Sequence, residues 1–107
     1  MRIFLDDERY PKVEQFDVII RDARSFFDRL IDILQDEGTI SYISFDHDLG
    51  LESQTGYDCA KMLVTFDETT PLLAKDFTFN VHSANPVGAK NIQMYLDQYL
   101  RIARDGR

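Results

Sequence analysis

The sequence has a single cysteine, Cys59, so no disulfide bond can form within the chain, and a reducing compartment suits it. Basic residues are scarce as well, since 12 Lys and Arg stand against 19 Asp and Glu, for a net charge of -7. This balance argues against a broad surface for duplex DNA or for an anionic membrane. The charge balance is still compatible with a nucleotide or an RNA end as a ligand, because binding either of them needs only a few local cations or a metal.

The chain also lacks a long apolar run, so the sequence predicts no membrane span. It begins with a short apolar run at residues 3–5 and then a string of acids, a start unlike that of a signal peptide. We therefore expect a cytoplasmic protein. Its 107 residues, of which 44% are hydrophobic, contain no internal repeat or linker and predict one globular domain over residues 1–107.

Hydrophobic spacing predicts strands and helices in the order β-β-α-β-α-β-α. The strands are β-branched or aromatic runs at residues 3–5, 16–20, 40–45 and 77–81. The helices have apolar stripes formed by Ala23, Phe26, Phe27, Leu30, Ile31 and Leu34, by Tyr57, Ala60, Leu63 and Val64, and by Ile92, Tyr95, Leu96, Tyr99 and Ala103. Strands separated by helices imply parallel pairing through right-handed crossovers. We expect an α/β fold, a small three-layer sandwich with a mostly parallel sheet.

Local signals predict where these helices begin and end. Asp22 is a suitable N-cap for the first helix and Gly38 a suitable end. Residues 69–71 close the second helix, and Asn85 followed by Pro86 is a strong start for the third. A loop through residues 52–56 follows the third strand, and we expect the tail at residues 104–107 to fray.

Three of the predicted strands end in polar residues. Asp6 and Asp7 follow the first strand, Asp46-His47-Asp48 follows the third, and the segment from His82 to Asn85 follows the fourth. In open α/β sheets, ligands bind at the carboxyl edge of parallel strands. We therefore expect the three polar ends to meet in one site.

Two acidic pairs, Asp6 with Asp7 and Asp46 with Asp48, suggest a metal site. Carboxylates brought together raise each other's pKa unless a cation joins them. Oxygen ligands of this kind suit Mg²⁺ or another divalent cation. A solvated acidic loop would explain either pair alone. Two pairs, each directly after an apolar strand, favour a metal or phosphate site.

The two histidines of the chain, His47 and His82, both follow predicted strands. An imidazole can act as a general acid or a general base near neutral pH. Each histidine alone is better explained as a half-buried structural residue. Their joint position at the polar strand ends favours a catalytic role for at least one, and which would be acid and which base stays open.

A phosphate-binding role is suggested for the start of the last helix. Ser83, Asn85 and Gly88 lie there, and a helix N-terminus offers free N–H groups and a partial positive charge. A well-formed helix cap would explain the same residues. Arg9 is the best placed cation, because it follows the first acidic pair.

Three motifs together resemble the cyclic-phosphate-processing receiver-like family: FLDDER at residues 4–9, FDHDLG at residues 45–50 and HSANPVG at residues 82–88. The resemblance implies a receiver-derived α/β domain with a truncated, flavodoxin-like topology that acts on cyclic phosphates of nucleotides or RNA ends. In receiver terms, Asp6 and Asp7 match the metal-binding pair and Asp46 the phosphoacceptor. Asp48 matches a metal-contacting position, and Ser83 the hydroxyl that contacts the phosphoryl group.

The chain departs from the signalling receivers in two respects. It has little room for a helix between the first two strands, and no fifth strand follows the last helix. The lysine that receivers carry after the fifth strand therefore has no counterpart, which argues against a phosphoacceptor switch.

These observations predict a metal-assisted phosphoesterase whose partner is a small nucleotide or an RNA end. The predicted catalytic residues are Asp46, His47 and His82; the predicted phosphate-binding residues are Arg9, Ser83, Asn85, Val87 and Gly88; and the predicted metal ligands are Asp6, Asp7, Asp46 and Asp48. Two alternatives stay open. One is a binding module for a nucleotide or cyclic phosphate that does not turn it over, and the other is a degenerate phosphoacceptor receiver domain.

Overall fold

The computed structural model describes residues 1–50 and 54–105. In chain order its elements are β1 (Arg2–Leu5), β2 (Val18–Ile20), α1 (Ala23–Gln35), β3 (Ile40–Phe45), α2 (Gly56–Thr69), β4 (Leu73–Val81) and α3 (Pro86–Asp105). This is the predicted order. Residues 52 and 53 of the predicted loop and residues 106 and 107 of the predicted tail lie outside the described residues.

The four strands form one parallel sheet in the order β2-β1-β3-β4. The register aligns Ile3 with Ile43 of β3, and Ile43 in turn with Phe79 of β4. Both central strands have their carboxyl ends at the same edge, as the crossover connections require. The predicted α/β class, the parallel sheet and the receiver-like topology are confirmed.

All three helices pack on one face of this sheet. Ile3, Ile43 and Phe79 share that face, because aligned residues of neighbouring parallel strands project to the same side. The core residues that the helices supply are Ala23, Phe26, Leu30 and Ile33 from α1, Cys59, Ala60, Leu63 and Val64 from α2, and Ile92, Leu96 and Leu100 from α3. The layering thus differs from the predicted three-layer sandwich: helices form one layer, not two.

The second face of the sheet carries no helix among the described residues, and a cluster of aromatic rings lies on it instead. The Phe4 and Phe16 rings are 5.2 Å apart, and the Phe16 and Tyr42 rings 5.8 Å apart. The guanidinium of Arg2 lies 4.4 Å from the centre of the Tyr42 ring. Phe16 belongs to the β1–β2 connection, residues 6–17, so this loop covers part of the second face of the sheet, as a helix would otherwise do.

The first helix differs in detail from its predicted stripe and end. Ile33, which was not in the predicted stripe, is buried, whereas Phe27 is exposed. After Gln35 the chain turns at Glu37, whose φ of 56° is left-handed. The N–H of Gly38 donates to the Ile33 carbonyl at 2.8 Å and that of Glu37 to the Leu34 carbonyl at 3.1 Å, a Schellman end. Gly38 therefore closes the helix, but the left-handed residue precedes it.

Strand β4 begins at Leu73, four residues before its predicted start, and a buried aspartate explains why. Asp67, near the end of α2, accepts hydrogen bonds from the backbone N–H groups of Leu72 at 2.7 Å and Leu73 at 2.9 Å. The hydroxyl of Tyr99 in α3 donates to the second carboxylate oxygen of Asp67 at 2.6 Å. This carboxylate joins α2, β4 and α3, and it fixes the chain at the point where the strand starts.

Throughout the described residues, each helix is too short or too polar to cross a bilayer.

Candidate functional site

Three carboxylates meet at the carboxyl edge of the central strands. Oxygens of Asp6, Asp7 and Asp46 lie within 4.8 Å of one another, and we call these residues the acidic cluster. Asp6 follows β1 and Asp46 follows β3, so the pairing of the two strands brings them together. Only 1% of Asp6 and 4% of Asp46 is exposed. Two of the three predicted polar strand ends therefore supply the cluster, and His82 and Ser83 of the third contact it.

Asp6 is held as a carboxylate by donors on both of its oxygens. One oxygen accepts the backbone N–H groups of Glu8 at 2.9 Å and Arg9 at 2.8 Å. The other accepts the Arg9 side-chain Nε at 3.1 Å and His82 Nε2 at 3.0 Å. Burial acts to raise the pKa of Asp6, but these hydrogen bonds and the Arg9 charge outweigh it, and the pKa lies below its usual range.

Asp46 is in the opposite condition. Burial, and then the neighbouring charge of Asp6, raise the pKa of its carboxyl group, although the Ser83 hydroxyl and the Arg9 charge act the other way. The guanidinium of Arg9 lies 3.7 Å from Asp46, farther than from Asp6. The acidic cluster is therefore short of positive charge. Its all-oxygen donor set matches the preference of a hard divalent cation, so these residues fit a receiver-type metal site.

His82 forms the link between the acidic cluster and the second face of the sheet. Its ring stacks on Phe4, with the ring centres 4.7 Å apart and the planes at 3°. The Ser44 hydroxyl lies 2.7 Å from Nδ1, and Asp6 lies 3.0 Å from Nε2. Because Asp6 is ionised, Nε2 bears the proton of that hydrogen bond, and in the neutral ring Ser44 donates to Nδ1. Stacking and two hydrogen bonds fix this histidine.

His47 lies in a second polar group, beside the start of α3. Its Nδ1 is 2.8 Å from Asp48, and the side-chain amide of Asn85 donates to the same Asp48 oxygen at 3.4 Å. The His47 and Asn85 hydrogen bonds lower the pKa of Asp48. The Asp48 carboxylate thus pairs with these residues, and the acidic cluster of the described residues comprises Asp6, Asp7 and Asp46.

The start of α3 is built as a cap. The side-chain oxygen of Asn85 accepts the N–H of Gly88 at 3.0 Å, and the Asn85 N–H donates to the Ser83 hydroxyl at 3.1 Å. The N–H of Gly88, which was predicted to bind phosphate, is therefore engaged in the cap. Val87 is exposed. Among the residues predicted to bind phosphate at the start of α3, Ser83 reaches the acidic cluster, through its contact with Asp46.

Three residues that support the site were missed in the sequence. Ser44 is a polar side chain within an apolar strand, which is a signal for a buried hydrogen bond. Arg21 donates to the backbone carbonyls of Asp6 at 3.0 Å and Arg9 at 2.6 Å, and so fixes the loop that holds both. At Gly56, a Cβ atom would overlap the carbonyl oxygen of Asp46, so only glycine lets α2 start this close to the cluster.

A comparison with family models gives a match over most of the chain. The model described as the cyclic-phosphate processing receiver domain matches residues 1–98, which include all four strands, the acidic cluster and both histidines. Comparisons with curated proteins and with solved structures gave no match.

Proposed function

This chain belongs to the cyclic-phosphate processing receiver domains, and on that premise we propose that it is a metal-assisted phosphoesterase for cyclic phosphates of nucleotides or RNA ends. One observation carries the proposal. An acidic cluster suited to a cation is in direct contact with a histidine and an arginine, through Asp6. Cation binding, proton transfer and phosphate binding can therefore occur at one place.

The acidic cluster would hold Mg²⁺ or another divalent cation. When bound, such an ion neutralises negative charge on the phosphate and polarises its P–O bonds. The raised pKa of Asp46 supports this role, because burial and the charge of Asp6 make the ionised Asp46 unfavourable until positive charge is added. Asp48, which pairs with His47, would contribute from outside the cluster.

Arg9 and Ser83 would contact the phosphate. About half of the Arg9 side chain is exposed (52%), and its guanidinium lies beside Asp6 and Asp46, so it can reach a ligand on the cluster without leaving its loop. A guanidinium presents paired N–H donors that match two phosphate oxygens. The Ser83 hydroxyl donates to Asp46, and its one O–H can rotate from that carboxylate to a phosphate oxygen on the same side. Asn85 would act by capping α3 beside it.

Ring opening needs one proton removed and one supplied. A water oxygen attacks phosphorus, the bond from phosphorus to one ribose oxygen breaks, and the released ribose oxygen takes a proton. His82, in contact with Asp6 of the cluster, and His47, beside Asp48, are the two candidates for these proton transfers. Each such role contributes on the order of 10²–10⁴-fold to the rate.

The proposal is tested by incubating the chain with 2′,3′- and 3′,5′-cyclic nucleotides and Mg²⁺ and recording ³¹P NMR spectra. We expect a phosphomonoester resonance to appear, and to be lost in Asp46→Ala and His82→Ala. Asp28→Ala is the matched control, since Asp28 is an exposed carboxylate of α1 paired with Arg24. Full activity in both His47→Ala and His82→Ala would contradict the histidine mechanism.

The same spectra separate the alternatives. Ligand that is recovered unchanged, with shifted or broadened resonances, would make the chain a binding module. Labelling of Asp46 by a small phosphodonor without turnover would make it a phosphoacceptor domain. An aspartyl-phosphate at Asp46 trapped during turnover would keep the hydrolase but change its mechanism from direct attack by water to a covalent one.

A further inference from the structure

A groove lies on the second face of the sheet, between that face and the β1–β2 connection. Its volume is about 270 Å³. The residues that line it are Phe4, Arg9, Tyr10, Pro11, Lys12, Val13, Glu14, Phe16, Ser44, Asn80 and His82. We call it the sheet-face groove, and the proposed chemistry at the acidic cluster gives it no role.

The sheet-face groove and the acidic cluster share a wall. Arg9 and His82 line the groove, and both contact Asp6 of the cluster. The Arg9 guanidinium also donates to the backbone carbonyl of His82 at 3.5 Å, which joins the two residues of the wall. A ligand whose phosphate lies at the cluster beside Arg9 therefore has the entrance of the groove next to it.

The chemistry of the groove suits a flat aromatic ring with polar edges. Phe4 and Phe16 supply apolar walls, and the exposed amide of Asn80 offers both a hydrogen-bond donor and an acceptor. Tyr10 is 72% exposed, yet its ring is held by Arg21, whose guanidinium lies 4.5 Å from the ring centre. Exposed aromatic rings of this kind are the surfaces on which nucleic-acid bases stack.

The position of Tyr10 is fixed by the same residue that fixes the site. Arg21 donates to the carbonyls of Asp6 and Arg9 while its guanidinium covers the Tyr10 ring. Arg21 thus holds the exposed ring and Arg9 in the same loop. A ligand that contacts Arg9 through its phosphate can therefore place its other end near Tyr10.

The size of the groove limits the ligand further. Pockets for drug-sized ligands measure about 300–1,000 Å³. The sheet-face groove is slightly smaller, so it matches a single base and not a run of stacked bases.

We infer that the sheet-face groove binds the base of a nucleoside cyclic phosphate. The position of the phosphate in this inference rests on the proposed function, whereas recognition of the base does not. The chain then prefers nucleoside cyclic phosphates over cyclic phosphates of base-free sugars. Tyr10 stacks on the base, and Asn80 bonds to its edge.

The test uses neutral nucleosides, which carry no phosphate and so report on the groove alone. We expect adenosine, guanosine, cytidine or uridine to shift the backbone ¹H–¹⁵N resonances of Tyr10, Lys12, Val13, Glu14 and Asn80. Tyr10→Ala should weaken this binding roughly tenfold or more, the loss expected for one base–aromatic stack. Phe27→Ala, which removes an exposed aromatic side chain from the helical face, is the control and should bind as the wild type does.

A second measurement compares a nucleoside 2′,3′-cyclic phosphate with ribose 2,3-cyclic phosphate as substrates. We expect the nucleoside to have the higher kcat/KM, and Tyr10→Ala to remove most of that advantage. Equal turnover of both, with no nucleoside shifts, overturns the base site and leaves the phosphoesterase intact. Nucleoside binding at the groove with no turnover of any cyclic phosphate overturns the phosphoesterase and leaves the base site intact.

Discussion

Asp67 and Asp46 are both buried aspartates, with 1% and 4% of their surface exposed, and their surroundings are opposite. Asp67 accepts two backbone N–H groups and the Tyr99 hydroxyl, so its oxygens are supplied with donors. Asp46 lies against Asp6, and the nearest guanidinium is 3.7 Å away. Asp67 receives donors from Leu72, from β4 and from α3, whereas Asp46 lies against two other carboxylates.

The comparison separates a structural carboxylate from a binding one. A buried charge persists when hydrogen bonds compensate its loss of water, as they do for Asp67. Donors and charge compensate Asp6 well but Asp46 only in part, through Ser83 and Arg9, so the cluster keeps negative charge that a ligand can neutralise. The shortage of positive charge, more than burial or residue type, makes the cluster the candidate functional site.

Removing Asp67 should have the largest effect on stability. Asp67→Ala leaves the N–H groups of Leu72 and Leu73 and the hydroxyl of Tyr99 without this acceptor, and each buried unpaired group costs about 1–3 kcal/mol. We expect the free energy of unfolding, from urea titration, to fall by about 3 kcal/mol or more. Asp67→Asn keeps an acceptor oxygen for the two N–H groups and should lose less. A change below about 1 kcal/mol in Asp67→Ala would contradict the structural role.

Divalent cations should stabilise the wild type through the acidic cluster. A ligand that binds only the folded state at 100 times its Kd adds about 2.7 kcal/mol to stability. We expect Mg²⁺ to raise the melting temperature of the wild type, and Asp46→Asn to abolish the rise. Asp67→Asn should keep it, if that variant remains folded. An equal Mg²⁺ response in wild type and Asp46→Asn would show that the cation binds elsewhere.

Neutralising Asp46 should act on stability in the direction opposite to Asp67. Without added metal, Asp46→Asn removes a charge that Asp6 repels, and the free energy of unfolding should rise by on the order of 1 kcal/mol. Turnover of cyclic phosphate should be lost in the same variant. A destabilised Asp46→Asn would place Asp46 in the same class as Asp67 and remove the contrast.

Asp58 provides a third case, a carboxylate that is compensated but not buried. It accepts the N–H of Thr55 in the capping box of α2, at 2.8 Å, and this bond, followed by the contacts with Lys61, lowers the pKa of Asp58. A carboxyl group whose pKa is lower in the folded state than in the unfolded state stabilises the fold above the unfolded-state pKa of about 4. That stabilisation is lost as the pH falls through the folded-state pKa. We expect Asp58→Asn to lose about 0.5–1 kcal/mol at pH 7, and the difference from wild type to vanish near pH 2 in urea titrations.

Most of the fold could be predicted because the signals are local. Alternating and helix-spaced apolar residues locate the strands and helices, and Asp22 and Asn85 cap the helices that they were predicted to cap. The face of the sheet on which each helix packs could not be predicted in this way. It depends on the strand order and on the absence of a helix between β1 and β2, and neither is a local signal. No local pattern distinguishes Phe27 from Ile33 until that face is known.

The site could be predicted in part for the same reason. Polar residues after apolar strands predict the meeting of Asp6, Asp7 and Asp46, since parallel pairing brings strand ends together. The side-chain partners could not be predicted. Asp48 pairs with His47, and the acidic cluster of the described residues does not include it. The structural role of Asp67 could not be predicted, because a single acid in an amphipathic helix has the sequence pattern of a solvated residue and its donors come from distant segments.

The contact between Gly88 and His47 has a consequence for sequence change. A Cβ atom at position 88 would strike the His47 ring, so the imidazole occupies the space that any other residue at 88 would need. The constraint runs in one direction: a histidine at 47 requires glycine at 88, whereas a smaller residue at 47 permits glycine or a side chain at 88. A family member with a side chain at 88 should therefore have lost the histidine at 47, and with it the imidazole beside Asp48.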